Sequence, residues 1–426
     1  METYGKILLI AMPTFVALVL LEKLYGWWKG NDTYRHMDML SSLSSGITNV
    51  TKDVLGLSVS ILTYKWLVDH VAIYQVEHTF WTYFIAFMAL DFSGYWTHRL
   101  AHQINFFWNK HAIHHSSEEF NLACALRQSV SSFVNLFTVF LLPAAIFGVP
   151  PKVIAVVAPL HLFAQFWYHT RHIGKMGFLE YFLVTPSHHR VHHAINPEYL
   201  DKNHGQIFIF WDKMFGTFQE ELPDVPPVYG ITRPAKTWNP IKINFQHLWL
   251  LIKDAWYAQN WKDKLRIWFM PTGWRPADVA AKHPVEKIDD IYHFVKYEPA
   301  TSAALKTWAT VQMAAVFAFI SYFFGNLAAI GSPGIFIYGA FIFLSVYAYS
   351  ELMDCKREAL LWEGLKNGFG LWLAWQTGGW FGIENLLPGL EWLVIAYLIT
   401  STFITAYFVI SEIGKSRQLM HSKRQS

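Results

Sequence analysis

The sequence predicts an all-α, polytopic membrane protein with about nine transmembrane helices. Composition is the first reason: of 426 residues, 53% are hydrophobic and 17% aromatic, while 15% are charged, against about a quarter in a soluble domain. Run length is the second. Several apolar stretches approach the roughly 20 helical residues needed to cross a hydrocarbon core about 30 Å thick. None shows the short alternating segments of a membrane strand, so helices are the spanning form.

Taken in order, the first span is Ile7 to Leu21, which lacks a small-x-small cleavage pattern and reads as an uncleaved anchor. Ile47 to Val68, Thr79 to Trp96, Val130 to Phe147 and Val153 to Tyr168 follow. Gly148-Val149-Pro150-Pro151 breaks the chain between the last two, making them a hairpin. If both arms span, the segments after Trp96 and after Tyr168 face one aqueous side. The remaining spans are Ala304 to Phe324, Ile335 to Tyr349, Phe369 to Trp380 and Trp392 to Ile410. Arg171, Lys175, Arg190, Lys202, Lys356, Arg357 and the tail residues Lys415, Arg417, Lys423 and Arg424 place the polar segments and the C-terminus in the cytoplasm by the positive-inside tendency.

The chain divides into residues 1–300, a catalytic membrane core with an interfacial cap, and residues 301–426, a set of C-terminal transmembrane helices with a basic tail. The cap, Pro223 to Pro299, is rich in Pro, Trp and Lys, which favour the headgroup level. No Lys/Arg run interleaves with aromatics, so no nucleic-acid partner is expected. Two cysteines, Cys124 and Cys355, are too few for a disulfide framework or a thiolate cluster.

Histidine is what the composition does not explain. Twelve of the 20 lie between His98 and His193, where even spreading would leave about 4.5. They form three patterned groups: His98-x-x-x-His102, His111-x-x-His114-His115 and His189-x-x-His192-His193. On a helix, residues three or four apart share a face, so each group aims two or three ring nitrogens at one point. Imidazole suits iron, zinc, copper or nickel, and eight histidines exceed what one ion uses. Two metals, or one metal with a large structural excess of histidines, follow from the count, with nitrogen ligands that avoid burying several carboxylates. His169, four residues after Gln165 at the end of the fifth span, shares a face with it and is a further candidate ligand. His161, His172, His188 and His204 read as solvated or supporting groups.

Asp91 lies seven residues before His98, two turns below it on the same face. A hydrogen bond from the free nitrogen of a ligand histidine would offset the cost of an acid at that depth. Gln165 and Asp212 are expected in similar supporting roles. Neither His-Glu-x-x-His nor His-x-x-Glu-His occurs, against a zinc protease. A metal transporter would spread ionisable residues through several spans, whereas Asp91 is nearly alone in the first five. A zinc-stabilised structural protein is the remaining non-enzymatic alternative.

These boxes resemble the fatty acid hydroxylase / sterol desaturase superfamily. The stretches Asn105 to Leu122, Ala125 to Ser129, Thr185 to His193, Asp201 to Asn203 and Trp211 to Phe218 are similar to its alkylglycerol monooxygenase branch, as are Gly230-Ile-Thr-Arg-Pro and Pro240-Ile-Lys. The resemblance implies a non-haem di-iron enzyme that hydroxylates an ether-linked carbon of a membrane lipid, using dioxygen and tetrahydrobiopterin. It also implies His98, His102, His111, His114, His115, His189, His192 and His193 as iron ligands. Gln103 stands where animal relatives carry Glu. No Gly-x-Gly-x-x-Gly follows a strand and no His-Pro-Gly-Gly haem motif occurs, so a soluble pterin or a redox partner protein must deliver electrons. Arg127 and Arg190, close to the boxes, are candidates to hold a pterin oxygen or a phosphate. A sterol, fatty acyl or carotenoid hydroxylase or desaturase with a protein electron donor is the nearest alternative.

Overall fold

The computed structural model describes residues 2–57, 59–60, 63–132, 134–135 and 137–414. The basic tail Lys415 to Arg424 lies outside the described residues. Among those described the chain is almost wholly helical, with one parallel two-residue ladder between β1 (Val59–Ser60) and β2 (Val134–Asn135).

Before the histidine boxes come α1 (Glu2–Trp28), α2 (His36–Val54) and α3 (Tyr64–Val71). The boxes lie on and around α4 (Phe80–Gln103) and α5 (Asn105–His115), followed by short α6 (Leu142–Ile146), α7 (Pro151–Phe163), α8 (Pro186–His192) and α9 (Phe210–Phe215). The cap contains α10 (Pro240–Tyr257), α11 (Trp261–Arg266) and α12 (Ala277–Lys282). The C-terminal part has α13 (Ala303–Gly325), α14 (Leu327–Ile330), α15 (Gly334–Met353), α16 (Ala359–Gln376) and α17 (Leu390–Phe408). A π-helical turn, Val409–Ile413, extends the last of these.

Among the described residues four helices are long and apolar enough to cross a membrane: Tyr4–Trp28, Ala303–Gly325, Gly334–Met353 and Leu390–Ile413. They coincide with the first, sixth, seventh and ninth expected spans. The eighth, expected from Phe369, begins earlier as α16 and carries fully buried Glu363 and Lys366, whose Oε1 and Nζ are 2.7 Å apart.

Three expected spans are not single crossing helices. Ile47 to Val68 breaks after α2, where Gly56 takes a left-handed φ of +64°. Most of α2 faces protein rather than lipid, and it buries Asp38, a run of serines and Lys52. Of Val130 to Phe147, residues 133 and 136 lie outside the described residues; the rest holds β2, a 3-10 turn at Phe137–Leu141 and the five residues of α6, where Pro143 lacks the N–H that would extend the helix toward the N-terminus. The fifth span shrinks to the 13 residues of α7, about 20 Å of helix against a core of about 30 Å. The expected turn between these two is present. Gly148 has φ +71°, and a Cβ there would lie 1.7 Å from the Tyr74 carbonyl oxygen, so only glycine fits. Its arms are too short to cross, which removes the hairpin argument for sidedness.

A different geometry brings polar segments together. At the end of α1, Glu22 accepts from the Leu122 N–H (2.7 Å) and the Thr170 hydroxyl (2.5 Å). After α15, Asp354 accepts from the Trp238 N–H at 2.6 Å, and beyond α17 Glu412 accepts from Ser302 Oγ at 2.6 Å. The largest apolar core joins Leu8, Met37, Leu40, Ile47, Val54 and Trp238 to α13, α15, α16 and α17.

Candidate metal centre

Thr79 caps α4 by accepting from the Thr82 N–H, and the helix runs 24 residues before Ile104 turns extended at φ −121°. The first residue of α5 follows at once, so the chain folds back and sets His111, His114 and His115 opposite His98 and His102. Pro186 opens α8 with its φ already helical, placing His189, His192 and His193 on the other side.

The histidines sort into two groups in which one ligand atom of each lies within 4.8 Å of the others: His98, His102, His111, His115 and His192, and then His114, His169, His189 and His193. The Nε2 atoms converge. His98 and His111 are 2.8 Å apart, His111 and His115 3.0 Å, and His102 and His115 3.2 Å. In the second group His169 is 2.9 Å from His189 and 3.4 Å from His114, and His189 is 3.0 Å from His193. Nitrogens bound about 2.1 Å from one ion lie about 3.0 Å apart in an octahedron and about 3.4 Å apart in a tetrahedron. The separations therefore match ligand edges around shared points.

Opposite ring nitrogens fix the rotamers. His98 Nδ1 donates to the His204 carbonyl (2.8 Å), His192 Nδ1 to Lys202 (2.9 Å), His114 Nδ1 to Arg127 (3.2 Å) and His169 Nδ1 to Gln165 (3.1 Å). A proton on Nδ1 leaves the Nε2 lone pair facing inward, as a ligand requires. His102 Nδ1 instead faces Asp201 Oδ1 at 3.3 Å. Burial, reinforced by neighbouring imidazoles, holds His111, His115, His169, His189, His192 and His193 well below the usual histidine range, and burial brings His114 down to about 3. His192 Nε2 is buried without a hydrogen-bond partner. Neutral, inward-facing nitrogens with unmet bonding capacity fit metal cations.

The supporting residues differ from expectation in their partners. Asp91 meets none of the nine clustered imidazoles. Its carboxylate accepts from His161 Nε2 (2.9 Å), the Ile207 and Phe208 N–H groups (2.9 and 3.2 Å) and Trp211 Nε1 (2.9 Å), tying α4 to the segment after His204. Asp212 acts one bond further out: it accepts from the N–H groups of His204 and Gly205, each at 2.7 Å, which fixes the peptide whose carbonyl holds His98. Burial pushes its carboxyl up to about 6. Gln165 reaches His169 through its backbone carbonyl, while its amide donates to Gln206 at 3.1 Å.

Arg127 and Arg190, the candidates to hold a pterin oxygen or a phosphate, both have internal partners. Arg127 is buried against Asp38 (2.7 Å), Ser42 and Ser116; Arg190 pairs with Glu221 at 2.6 Å and donates to two carbonyls. Gln103 is exposed. His204, read as solvated or supporting, is fully buried beside His98, His102 and His192, with both ring nitrogens unpartnered. Its only sequence signal was closeness to the third box.

A cavity of about 180 Å³ opens on His102, His115 and His192 and runs between α5, α10 and residues 230–233 and 272–275. Of its other walls, Gly230 to Arg233 belong to the stretch Gly230-Ile-Thr-Arg-Pro, while those from α10 begin at Ile243, just past Pro240-Ile-Lys.

A family model described as fatty acid hydroxylase matches residues 83–217, which include all nine clustered histidines. Alkylglycerol monooxygenase of Homo sapiens is 36% identical over 84% of this chain and 80% of its own length. The Xenopus tropicalis enzyme of that name is 34% identical over 83% and 78%, and the Danio rerio one 32% over 92% and 86%. No solved structure gives a significant match. With relatives this similar along most of its length, and its histidines inside the fatty acid hydroxylase match, the chain belongs to the alkylglycerol monooxygenase family of oxidoreductases.

Proposed function

We propose that this chain is a multi-pass membrane monooxygenase that uses dioxygen to hydroxylate the carbon beside the ether oxygen of an alkylglycerol lipid. The hydroxylated product is a hemiacetal, which collapses to a fatty aldehyde and a glycerol derivative. The observation carrying this reading is the sorting of nine imidazoles, six of them buried, into two converging groups, in a chain with alkylglycerol monooxygenase relatives.

In this reading His98, His102, His111, His115 and His192 hold one iron, and His114, His169, His189 and His193 a second. Bound iron would supply the redox chemistry toward dioxygen. The chain's own contribution is positional. Nδ1 hydrogen bonds keep the rings aimed, with Asp212 securing the His204 peptide behind His98. Phe120 and Tyr168, 5.2 Å from His193 and 4.3 Å from His189 between ring centroids, exclude water from the second group. Electrons come from outside, from tetrahydrobiopterin or a redox partner protein. With Arg127 and Arg190 internally paired, no pterin site is assigned to them.

The ends of α1, α15 and α17 and the starts of α13 and α16 share the histidine side, and a basic tail follows the last. Positive charge there supports a cytoplasmic active site. Residues 1–300 carry the chemistry in this division, while residues 301–426 anchor it.

The test is fatty aldehyde release from an alkylglycerol by membranes containing the protein, with iron, dioxygen and tetrahydrobiopterin, beside His114→Ala. Aldehyde that requires both pterin and His114 supports the reading. Folded, iron-loaded protein that releases none, even with a protein electron donor, sinks ether cleavage.

A further inference from the structure

The cavity beside the first histidine group has an unbalanced charge. Arg275 is matched, with Nε 2.5 Å and Nη2 2.8 Å from the Asp254 carboxylate. Arg233, half-buried in the wall, has neither an ion pair nor a hydrogen bond among the described residues, and Lys287 at the mouth has none either. The one carboxylate on the lining, Asp201, faces His102. His247 adds no cation near neutral pH, because burial holds it down to about 4 even though its Nε2 donates to the Asn105 carbonyl oxygen at 3.0 Å. The carboxylate that Arg233 feels, Asp254, is the one already held by Arg275; a half-buried guanidinium without a carboxylate of its own is poised for an anion, and its planar fork suits phosphate oxygens.

The surroundings narrow the anion's source. Leu250 and Leu251 face inward from α10, whereas Trp249 and Trp256 on the same helix are exposed. Trp261 and Phe269 extend that aromatic face. Tryptophan on an exposed helical face favours the headgroup level of a bilayer. The cavity therefore lies behind a surface suited to a membrane, between an amphiphile's point of arrival and the imidazoles.

We propose that this cavity is the headgroup subsite and that Arg233, assisted by Lys287, selects ether lipids carrying a phosphate over uncharged ones. The proposal rests on the ether-lipid reading above for the identity of the reaction, not for the anion site itself. The phosphate sits at Arg233 and the ether carbon lies toward His102, His115 and His192.

Two measurements on the full-length, iron-loaded protein in detergent test it. In the first, binding of dodecyl phosphate is compared with dodecanol and inorganic phosphate, for wild type, Arg233→Gln and Arg233→Lys. Wild type is expected to prefer dodecyl phosphate, Arg233→Gln to bind it at least tenfold more weakly, and Arg233→Lys to recover part of the loss. In the second, kcat/KM for a phosphate-bearing alkylglycerol is divided by that for the uncharged lipid of the same chain length. The ratio is expected to fall at least tenfold in Arg233→Gln, mainly through KM. Equal losses for both lipids, or undiminished dodecyl phosphate binding in folded Arg233→Gln, overturns the proposal. Inorganic phosphate binding as tightly as dodecyl phosphate overturns the lipid source. Arg233-dependent binding without cleavage of any ether lipid upholds the anion site and sinks the ether-lipid reading instead.

Discussion

At the residue scale, the site rests on second bonds of groups whose first bond is unspectacular. Asp212 never meets the clustered imidazole nitrogens, yet two of its hydrogen bonds define the peptide that His98 Nδ1 must find. Asp212→Ala leaves two buried N–H groups unmet, each costing about 1–3 kcal/mol. The expected result is a lower unfolding midpoint and metal affinity reduced about 10–100-fold, checked by thermal unfolding and metal titration. His115→Ala should remove a ligand from the first group, so metal analysis should find about half the wild-type content. The clustering of the histidines was legible because helical spacing is local. Asp91 with His161, and Arg127 with Asp38, are 70 and 89 residues apart, and no spacing in the sequence reveals such partners.

At the element scale, hydropathy foresaw α1, α13, α15 and α17, whose burial of side chains is set by lipid on one face and helices on the other. It misread α2 and α6. In the first, apolar residues face protein and a glycine stops the helix; in the second, a proline does. The same helix α2 carries Asp38, partner of Arg127 at 2.7 Å, both almost fully buried. Asp38→Ala strands a guanidinium in the interior and should cost about 3–5 kcal/mol. Arg127→Met together with Asp38→Leu should recover much of that, and a double-mutant cycle by chemical denaturation in detergent measures the difference.

At the scale of the whole molecule, the expected division at residue 300 is not a division of packing. Leu8 and Met37 share one core with Phe323, Tyr338 and Leu373. A chain ending at residue 300 exposes that core face and should aggregate or be degraded in membranes; intact, metal-loaded accumulation, read by size-exclusion and metal analysis, would show that the anchor is dispensable. Within the anchor, Lys366→Met leaves Glu363 buried without its cation and should weaken folding by about 3–5 kcal/mol, whereas adding Glu363→Gln should return part of it. The site's cavity was not foreseen, since its walls come from segments more than a hundred residues apart that acquire meaning only when α10 closes over α5.

Both α5 and α8 serve the two histidine groups at once: His111 and His115 turn one way while His114 turns the other, and His192 parts from His189 and His193 in the same manner. Each helix thus behaves as a gauge whose markings are peptide units. One residue added or lost within either turn would rotate the later histidines by about 100° and disrupt both groups together. Loops elsewhere can lengthen across descendants of this chain, but these two turns are held to a fixed count, and any drift in the separation of the two groups must come from the whole helices moving.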